Sequence, residues 1–363
     1  MIVGILGGGQ LGRMLALAGY PLGLRFRFLD PNPSAPAGHV GELITGNFTD
    51  PAILDRFADG LSVITFEFEN VPLQTAQQLN ARVPVFPPPP ALDAGQDRLA
   101  EKRLFKRVGI PLPPWQSVES HANLKSAAAA VGLPAVLKTR RLGYDGKGQF
   151  VLRAEHDIDR AWDTLTGGSF VLEKFVPFDR ELSIIAVRNR RGDTRFYPLV
   201  ENHHRLGILR WSHAPAPNLT SAIQKKAEHH AAAVLDALNY VGVLAIEFFE
   251  KDGDLFANEM APRVHNSGHW TIEGARTSQF ENHLRAILDQ PLGDTDALGH
   301  SAMLNLIGNL PSTAECCAIP EAHLHLYGKS PRPERKLGHL TFQSSDPSRV
   351  EQLLHDWRTV FHE

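Results

Sequence analysis

Lys138-Thr139-Arg140-Arg141-Leu142-Gly143-Tyr144-Asp145-Gly146-Lys147-Gly148-Gln149 is the most informative stretch of this chain. The apolar run over Ala135–Thr139 predicts a strand, and Gln149–Arg153 predicts its return. Between them lie three glycines and further basic side chains. Glycine lets backbone N–H groups approach phosphate oxygens closely, so the loop fits a flap over a triphosphate. It is not a helix-based phosphate loop, because G-x-x-x-x-G-K-[ST] is absent. Taken alone, the same residues fit a basic surface hairpin equally well.

Working outward, Phe170–Val176 predicts a strand that carries Glu173, Lys174, Phe175 and Val176 and leads into a turn at Pro177. An acid and free backbone groups at a strand edge suit an adenine, and Glu181 farther on suits ribose hydroxyls. The plainer alternative is an exposed strand pair with salt bridges. Val243–Glu250 and Asp254–Glu259 predict a hairpin across Lys251-Asp252-Gly253. Its arms place Glu247 and Glu259 side by side among apolar residues, where two like charges are unfavourable unless a cation sits between them. Mg²⁺ takes such carboxylates together with nucleotide phosphates, and Asn258 adds an oxygen. The irregular run Ala261–Trp270 then offers Arg263, His265 and Asn266, a set that can hold a small planar anion. Near the end, Tyr327-Gly328-Lys329 and Arg332-Pro333-Glu334-Arg335-Lys336 form a basic cluster suited to phosphate.

The N-terminal part alternates strand-like and helix-like segments: Ile2–Leu6, Gln10–Ala18, Leu24–Leu29, Asp50–Ala58 capped by Thr49, Ser62–Phe66, Leu73–Ala81 and Val83–Phe86. Repeated βα units predict a parallel sheet covered by helices. Gly7-Gly8-Gly9-Gln10-Leu11-Gly12 fits G-x-G-x-x-G, with Asp30 about 20 residues farther on. Three readings stand: a dinucleotide loop with Asp30 on a ribose, a monophosphate site, and a tight turn. The proline run 87–90 is expected to be a linker. Residues 93–131 look helical apart from Pro111–Pro114, with later helices over Ser221–Leu238, 277–288 and 346–357.

Composition narrows the classes. The chain has 363 residues, 43% of them hydrophobic and 21% charged, which excludes wholesale disorder. A net charge of −3 offers no basic face for nucleic acid or an anionic membrane, so neither is expected as a partner. The two cysteines, Cys316 and Cys317, are adjacent and make neither a disulfide framework nor a four-ligand zinc site. With no signal-like N-terminus and no long apolar run, a cytoplasmic protein is expected.

Together these segments resemble the ATP-grasp ligases and, within them, the N5-carboxyaminoimidazole ribonucleotide synthetases. The resemblance is carried by GILGGGQLGRM (4–14), TFEFENVP (65–72), QDRLAEK (96–102), VLKTRRLGYDGKGQ (136–149), LEKFVPFDRELS (172–183), ENHHRLGIL (201–209) and YGKSPRPERKLGHL (327–340). It implies a mixed α/β fold in three parts: a Rossmann-like pre-ATP-grasp domain (1–92), an ATP-grasp domain (93–295) and a small β-rich C-terminal domain (296–363). It implies ATP and Mg²⁺ as cofactors, a likeness to homodimers, and carboxylation of 5-aminoimidazole ribonucleotide by bicarbonate. Another ATP-grasp carboxylase or formyl-transferring ligase is the alternative. The resemblance assigns nucleotide contacts to Arg98, Lys138, Gly143, Tyr144, Asp145, Gly146, Lys147, Gly148, Gln149, Glu173, Lys174, Phe175, Val176, Glu181, His204, Asn258 and Glu259. It assigns the metal to Glu247 and Glu259, and the chemistry to Tyr144, Asp145, Lys147, Arg263, His265 and Asn266. Substrate binding falls to Gln10, Leu11, Lys329, Arg335 and Lys336. Leu142, where another glycine is common, and the Pro and Glu within 332–336 depart from the pattern.

Overall fold

The computed structural model describes residues 1–143, 146–166 and 168–360. Tyr144 and Asp145 therefore lie outside the described residues. Four parallel strands open the chain: β1 (Ile2–Leu6), β2 (Arg25–Asp30), β3 (Glu42–Thr45) and β4 (Val63–Phe66), in the order β3-β2-β1-β4. Helices α1 (Gln10–Gly19), α2 (Pro51–Ala58) and α3 (Leu73–Asn80) accompany them. β3 was not expected, and Val83–Phe86 makes only an isolated bridge, Ile64 to Val85. α2 is capped by Asp50, whose carboxylate accepts from the Ala52 and Ile53 N–H groups, and not by Thr49.

The glycine loop corrects two of its three readings. Asp30 accepts from the Gly8 N–H at 2.7 Å, so it is not turned toward a ribose. The Glu67 carboxylate accepts from the N–H groups of Gly9 and of Gly12, the latter at 2.9 Å. The N–H groups at the positive end of α1 are thus already taken by a carboxyl group of the chain itself, whose pKa burial raises against the pull of those N–H groups. What remains is the tight turn.

The proline run is not a linker. Pro87 and Pro89 are buried, and Pro89 opens α4 (Pro89–Gln96), a position where a missing N–H does no harm. α5 (Arg98–Arg107) follows, capped by Asp97. A second sheet is antiparallel, in the order β5 (Trp115–Val118), β8 (Phe170–Lys174), β6 (Ala135–Thr139), β7 (Gln149–Leu152), with α6 (His121–Val131) and α7 (Asp157–Thr164) packed near it.

The third sheet has nine strands: β9 (Arg180–Arg188), β10 (Thr194–Phe196), β11 (Val200–Arg205), β12 (Ile208–Ala214), β13 (Gly242–Lys251), β14 (Asp254–Ala261), β15 (His300–Ile307), β16 (Ala322–Leu326) and β17 (Lys336–Ser344). β15 pairs with β12, so the C-terminal strands extend this sheet and do not form one of their own. α8 (Ser221–Ala237), α9 (Thr271–Gly274), α10 (Gln279–Ile287), α11 (Thr313–Cys317) and α12 (Pro347–Val360) complete the chain. α5 lies between the second and third sheets, with Arg98, Glu101 and Lys102 on one face by helical spacing.

An alanine at position 9 would place its Cβ against the Glu67 carboxylate. We expect Gly9→Ala to expel that carboxylate and to lower stability by about 2–4 kcal/mol, the range for losing charge-assisted hydrogen bonds at a buried site. Urea unfolding checks this; an unchanged midpoint would contradict it.

Candidate active site

The β13–β14 hairpin turns at Asp252-Gly253, both at positive φ, as an Asp-Gly turn requires. Lys251 faces Asp254, and a regular ladder from there would pair Glu247 with Asn258. Instead the register shifts by one residue between Phe248 and Glu247, and Glu247 faces Glu259. Asn258 is the extra residue of this β-bulge. Glu247 is pushed up to about 7 by burial and by the Glu259 charge, with His204 opposing. Glu259 is held low despite burial, because Arg98 lies 2.9 Å away and Lys138 is near.

Burial and the facing Glu259 charge both work against ionisation of Glu247, and a cation held between the two carboxylates would relieve both. Among the described residues no three His, Cys, Asp or Glu side chains converge on one point. Two carboxylates alone suit Mg²⁺, which takes its other ligands from phosphates and water, better than an ion held wholly by protein.

Around the pair stands a buried lattice of charges. Glu173 on β8 is 2% exposed and meets Lys102 at 3.1 Å and Lys138 at 3.3 Å. Burial would raise its pKa, but Lys102, Lys138 and Arg98 together bring it down to about 2. Lys138 also reaches Asn258 Oδ1 at 3.1 Å, and Lys102 reaches the Asn258 carbonyl at 2.9 Å. Lys102 escaped the sequence reading, although QDRLAEK contains it; a lysine on an exposed helix face looks the same in sequence. Glu101 was missed too. One of its oxygens accepts from the Met260 N–H at 2.6 Å and the other is buried without a partner, and burial pushes its pKa up to about 8.

A cleft of about 670 Å³ joins the three parts of the chain. Of the predicted residues its walls include Gln10, Leu11, Arg98, Gly143, Lys147, Glu259, Arg263, His265, Asn266, Lys329, Arg335 and Lys336. Lys329 donates to Gln10 Oε1, which ties the basic segment to α1, and burial lowers its pKa to about 8. Arg263 is braced by Glu69 at 2.6 Å. His265 is neutral, its pKa brought down to about 3 by burial and by Arg263 and Lys336. Asn266 exchanges hydrogen bonds with Asn305, at 3.1 and 2.7 Å.

Lys138, Gly146, Gly148, Gln149, Glu173, Lys174, Phe175, Val176, Glu181, His204, Glu247 and Asn258 do not line this cleft. Three details differ from expectation. Glu173 is not at an exposed edge. The N–H groups of Lys174 and Phe175 are not free, since they donate to the Pro114 and Pro134 carbonyls at 2.8 and 3.1 Å, and the Lys174 ammonium donates to the Leu133 carbonyl. The basic residues at the root of the flap, Arg140 and Arg141, both pair with Asp97, and Arg140 with Glu119 as well. Leu142 adopts φ 62, the conformation in which glycine would be unstrained.

Glu181 on β9 and His204 on β11 form a close ion pair. Burial would lower the histidine, but the Glu181 hydrogen bond and the Glu247, Glu181 and Glu259 charges raise it to about 9. A pKa raised above the unfolded value gives stability that is complete below pH 6.5 and is lost as pH rises toward 9. Without bound cation, the protein should therefore lose roughly 3 kcal/mol between those limits through this residue. His204→Gln should flatten that slope in urea unfolding from pH 6 to 9.5; an unchanged slope would refute it.

Comparison with known proteins identifies the family. Residues 1–96 match the ribonucleotide synthetase preATP-grasp domain, residues 103–280 the ATP-grasp domain, and residues 301–353 the phosphoribosylaminoimidazole carboxylase C-terminal domain. The N5-carboxyaminoimidazole ribonucleotide synthase of Pseudomonas aeruginosa is 54% identical, with 97% of each chain covered. The crystal structure of the synthetase from Thermus thermophilus is 56% identical with a TM-score of 0.95 over 98% of each chain. A structure of the Aspergillus clavatus synthase in complex with ADP and 5-aminoimidazole ribonucleotide is 32% identical, with a TM-score of 0.90 over 97% of this chain and 96% of that one. The chain belongs to the N5-carboxyaminoimidazole ribonucleotide synthase family of ATP-grasp ligases.

Proposed function

We infer that this chain performs the reaction of its family, in which ATP, bicarbonate and 5-aminoimidazole ribonucleotide give N5-carboxyaminoimidazole ribonucleotide, ADP and phosphate in purine biosynthesis. The observation that carries it is the convergence of the Glu259 side of the carboxylate pair, Arg98, the Arg263–Asn266 segment and Lys329–Lys336 on one cleft. A bicarbonate oxygen attacks the γ-phosphorus of ATP, the bond to ADP breaks, and carboxyphosphate forms. The exocyclic amine then attacks the carboxyl carbon, phosphate leaves, and the amine gives up a proton.

Arg98, from the cleft wall, and Lys138, from behind it, would offset the charge that builds on the transferring phosphoryl group, and positioned charges are the main catalytic device of phosphoryl transfer. Glu247 and Glu259 would hold Mg²⁺, which when bound supplies neutralisation of the phosphate oxygens. Arg263, His265 and Asn266 orient bicarbonate; His265, being neutral, acts there as a hydrogen-bond partner and not as a cation. Lys329, Arg335 and Lys336 take the substrate phosphate beside Gln10 and Leu11. Tyr144 and Asp145 meet the aminoimidazole, and Asp145 orients or deprotonates the amine. The flap excludes water, because carboxyphosphate hydrolyses. We also propose that the chain acts as a homodimer in the cytoplasm, as family kinship implies; no helix among the described residues is long and apolar enough to cross a membrane.

ADP release, followed with bicarbonate and 5-aminoimidazole ribonucleotide each present or withheld, tests the reaction: it should be fullest with both, with the carboxylated product formed. Glu259→Gln removes one carboxylate from the pair and should lower kcat a hundredfold or more, several kcal/mol of transition-state stabilisation. Near-normal turnover in that variant would sink the metal assignment. Asp145→Asn should abolish carboxylation while the Kd for ATP stays within about twofold of the unaltered protein. Weakened nucleotide binding would instead give Asp145 a place in the nucleotide site.

A further inference from the structure

Behind one wall of the cleft stands a file of rings, three buried and one half-buried, to which the proposed reaction gives no part. Tyr327 and His269 line the wall, and Tyr327 is 2% exposed. The Tyr327 hydroxyl is hydrogen-bonded to His339 Nδ1 at 2.8 Å. The His339 ring stacks on His325 at 4.5 Å and 8°, and lies 4.9 Å from the His269 ring. His325 Nε2 meets Glu273 Oε1 at 2.6 Å. His339 is fully buried and its Nε2 has no partner, so the tyrosine hydroxyl is the one hydrogen bond that orients this imidazole among the described residues.

Tyr327 also fixes the basic segment at both ends. Its backbone N–H donates to the Leu337 carbonyl at 2.9 Å, which closes residues 328–336 into a loop. Gly328, at φ +72, turns the chain so that the Lys329 ammonium lies 5.9 Å over the Tyr327 ring while it donates to Gln10. A ring free to tilt would move the point from which Lys329, Arg335 and Lys336 are hung.

We propose that Tyr327 and His339 are positioning residues, which set the place of the Lys329–Lys336 loop and so the affinity for the ribonucleotide's phosphate. The proposal rests on the functional reading above, and its test uses binding without turnover. Calorimetry on the full chain gives Kd values for 5-aminoimidazole ribonucleotide and for ADP. Tyr327→Phe keeps the ring and removes only the hydroxyl. It should weaken the ribonucleotide about tenfold, the scale of one buried hydrogen bond, and leave ADP within about twofold. His339→Asn, which keeps a hydrogen-bonding atom near the Nδ1 position, should lie closer to the unaltered protein. Unchanged ribonucleotide affinity in Tyr327→Phe, or an equal loss for ADP and ribonucleotide, would overturn the proposal. Lack of turnover by the unaltered protein would overturn the functional reading and leave this comparison standing.

Discussion

The contact on which the site depends is the buried Glu173 carboxylate between the ammonium groups of Lys102 and Lys138. One anion does not balance two cations with Arg98 close by, and Lys138 shows the imbalance: burial, Lys102 and Arg98 all lower its pKa. Removing charges from water is expensive unless they are paired. The fold meets this only in part, by bringing Glu259 to Arg98 and the Asn258 oxygens to both lysines. The cluster comes from α5, β6, β8 and β14, so it exists only when the second and third sheets close on α5.

The carboxylate pair is the complementary case. Its excess is negative, and the groups that temper it are His204 on one side and Arg98 on the other. Cation-rich and anion-rich patches share Asn258 and Glu259 on a single strand. That adjacency rests on one bulge, because without the extra residue Glu247 would face Asn258. The hairpin was legible from Lys251-Asp252-Gly253, and the acids from their apolar neighbours. The bulge was not, since nothing local in Phe256–Met260 marks which residue is left over.

The same division holds elsewhere. Strands and helices set by nearby residues were readable: the parallel N-terminal sheet, the flap strands and the long helix over Ser221–Ala237 all stand close to where periodicity put them. What failed depended on partners far along the chain. The glycine loop has the pattern of a phosphate loop, and only Glu67, more than fifty residues on, turns it into a filled site. Arg140 and Arg141 look like ligands for phosphate until Asp97 is seen between them. Lys102 looks like a solvated helix residue until it is found fully buried. A charged side chain carries no local mark of whether its counter-ion is a ligand or another part of the same protein.

The Arg263–Glu273 run has little regular structure, yet polar side chains set among the apolar ones of the nine-stranded sheet hold it. Asn266 is held by Asn305, Ser267 by Ser183, and Glu273 by His325. Ser183 is held in turn by Asn202. Buried polar groups that satisfy one another fix geometry more narrowly than apolar contacts, because each bond is directional. The strands that receive them, β9, β11, β15 and β16, all lie on one side of the β13–β14 hairpin, which is at the edge of the sheet, and β15 joins β9 and β11 only through β12. Extending the sheet with the C-terminal strands therefore does two things at once. It brings Asn305 to Asn266, and it carries Lys329 across to Gln10 at the start of α1. A net charge of −3 says nothing of this, since the positive charge that matters is concentrated by topology and not by composition.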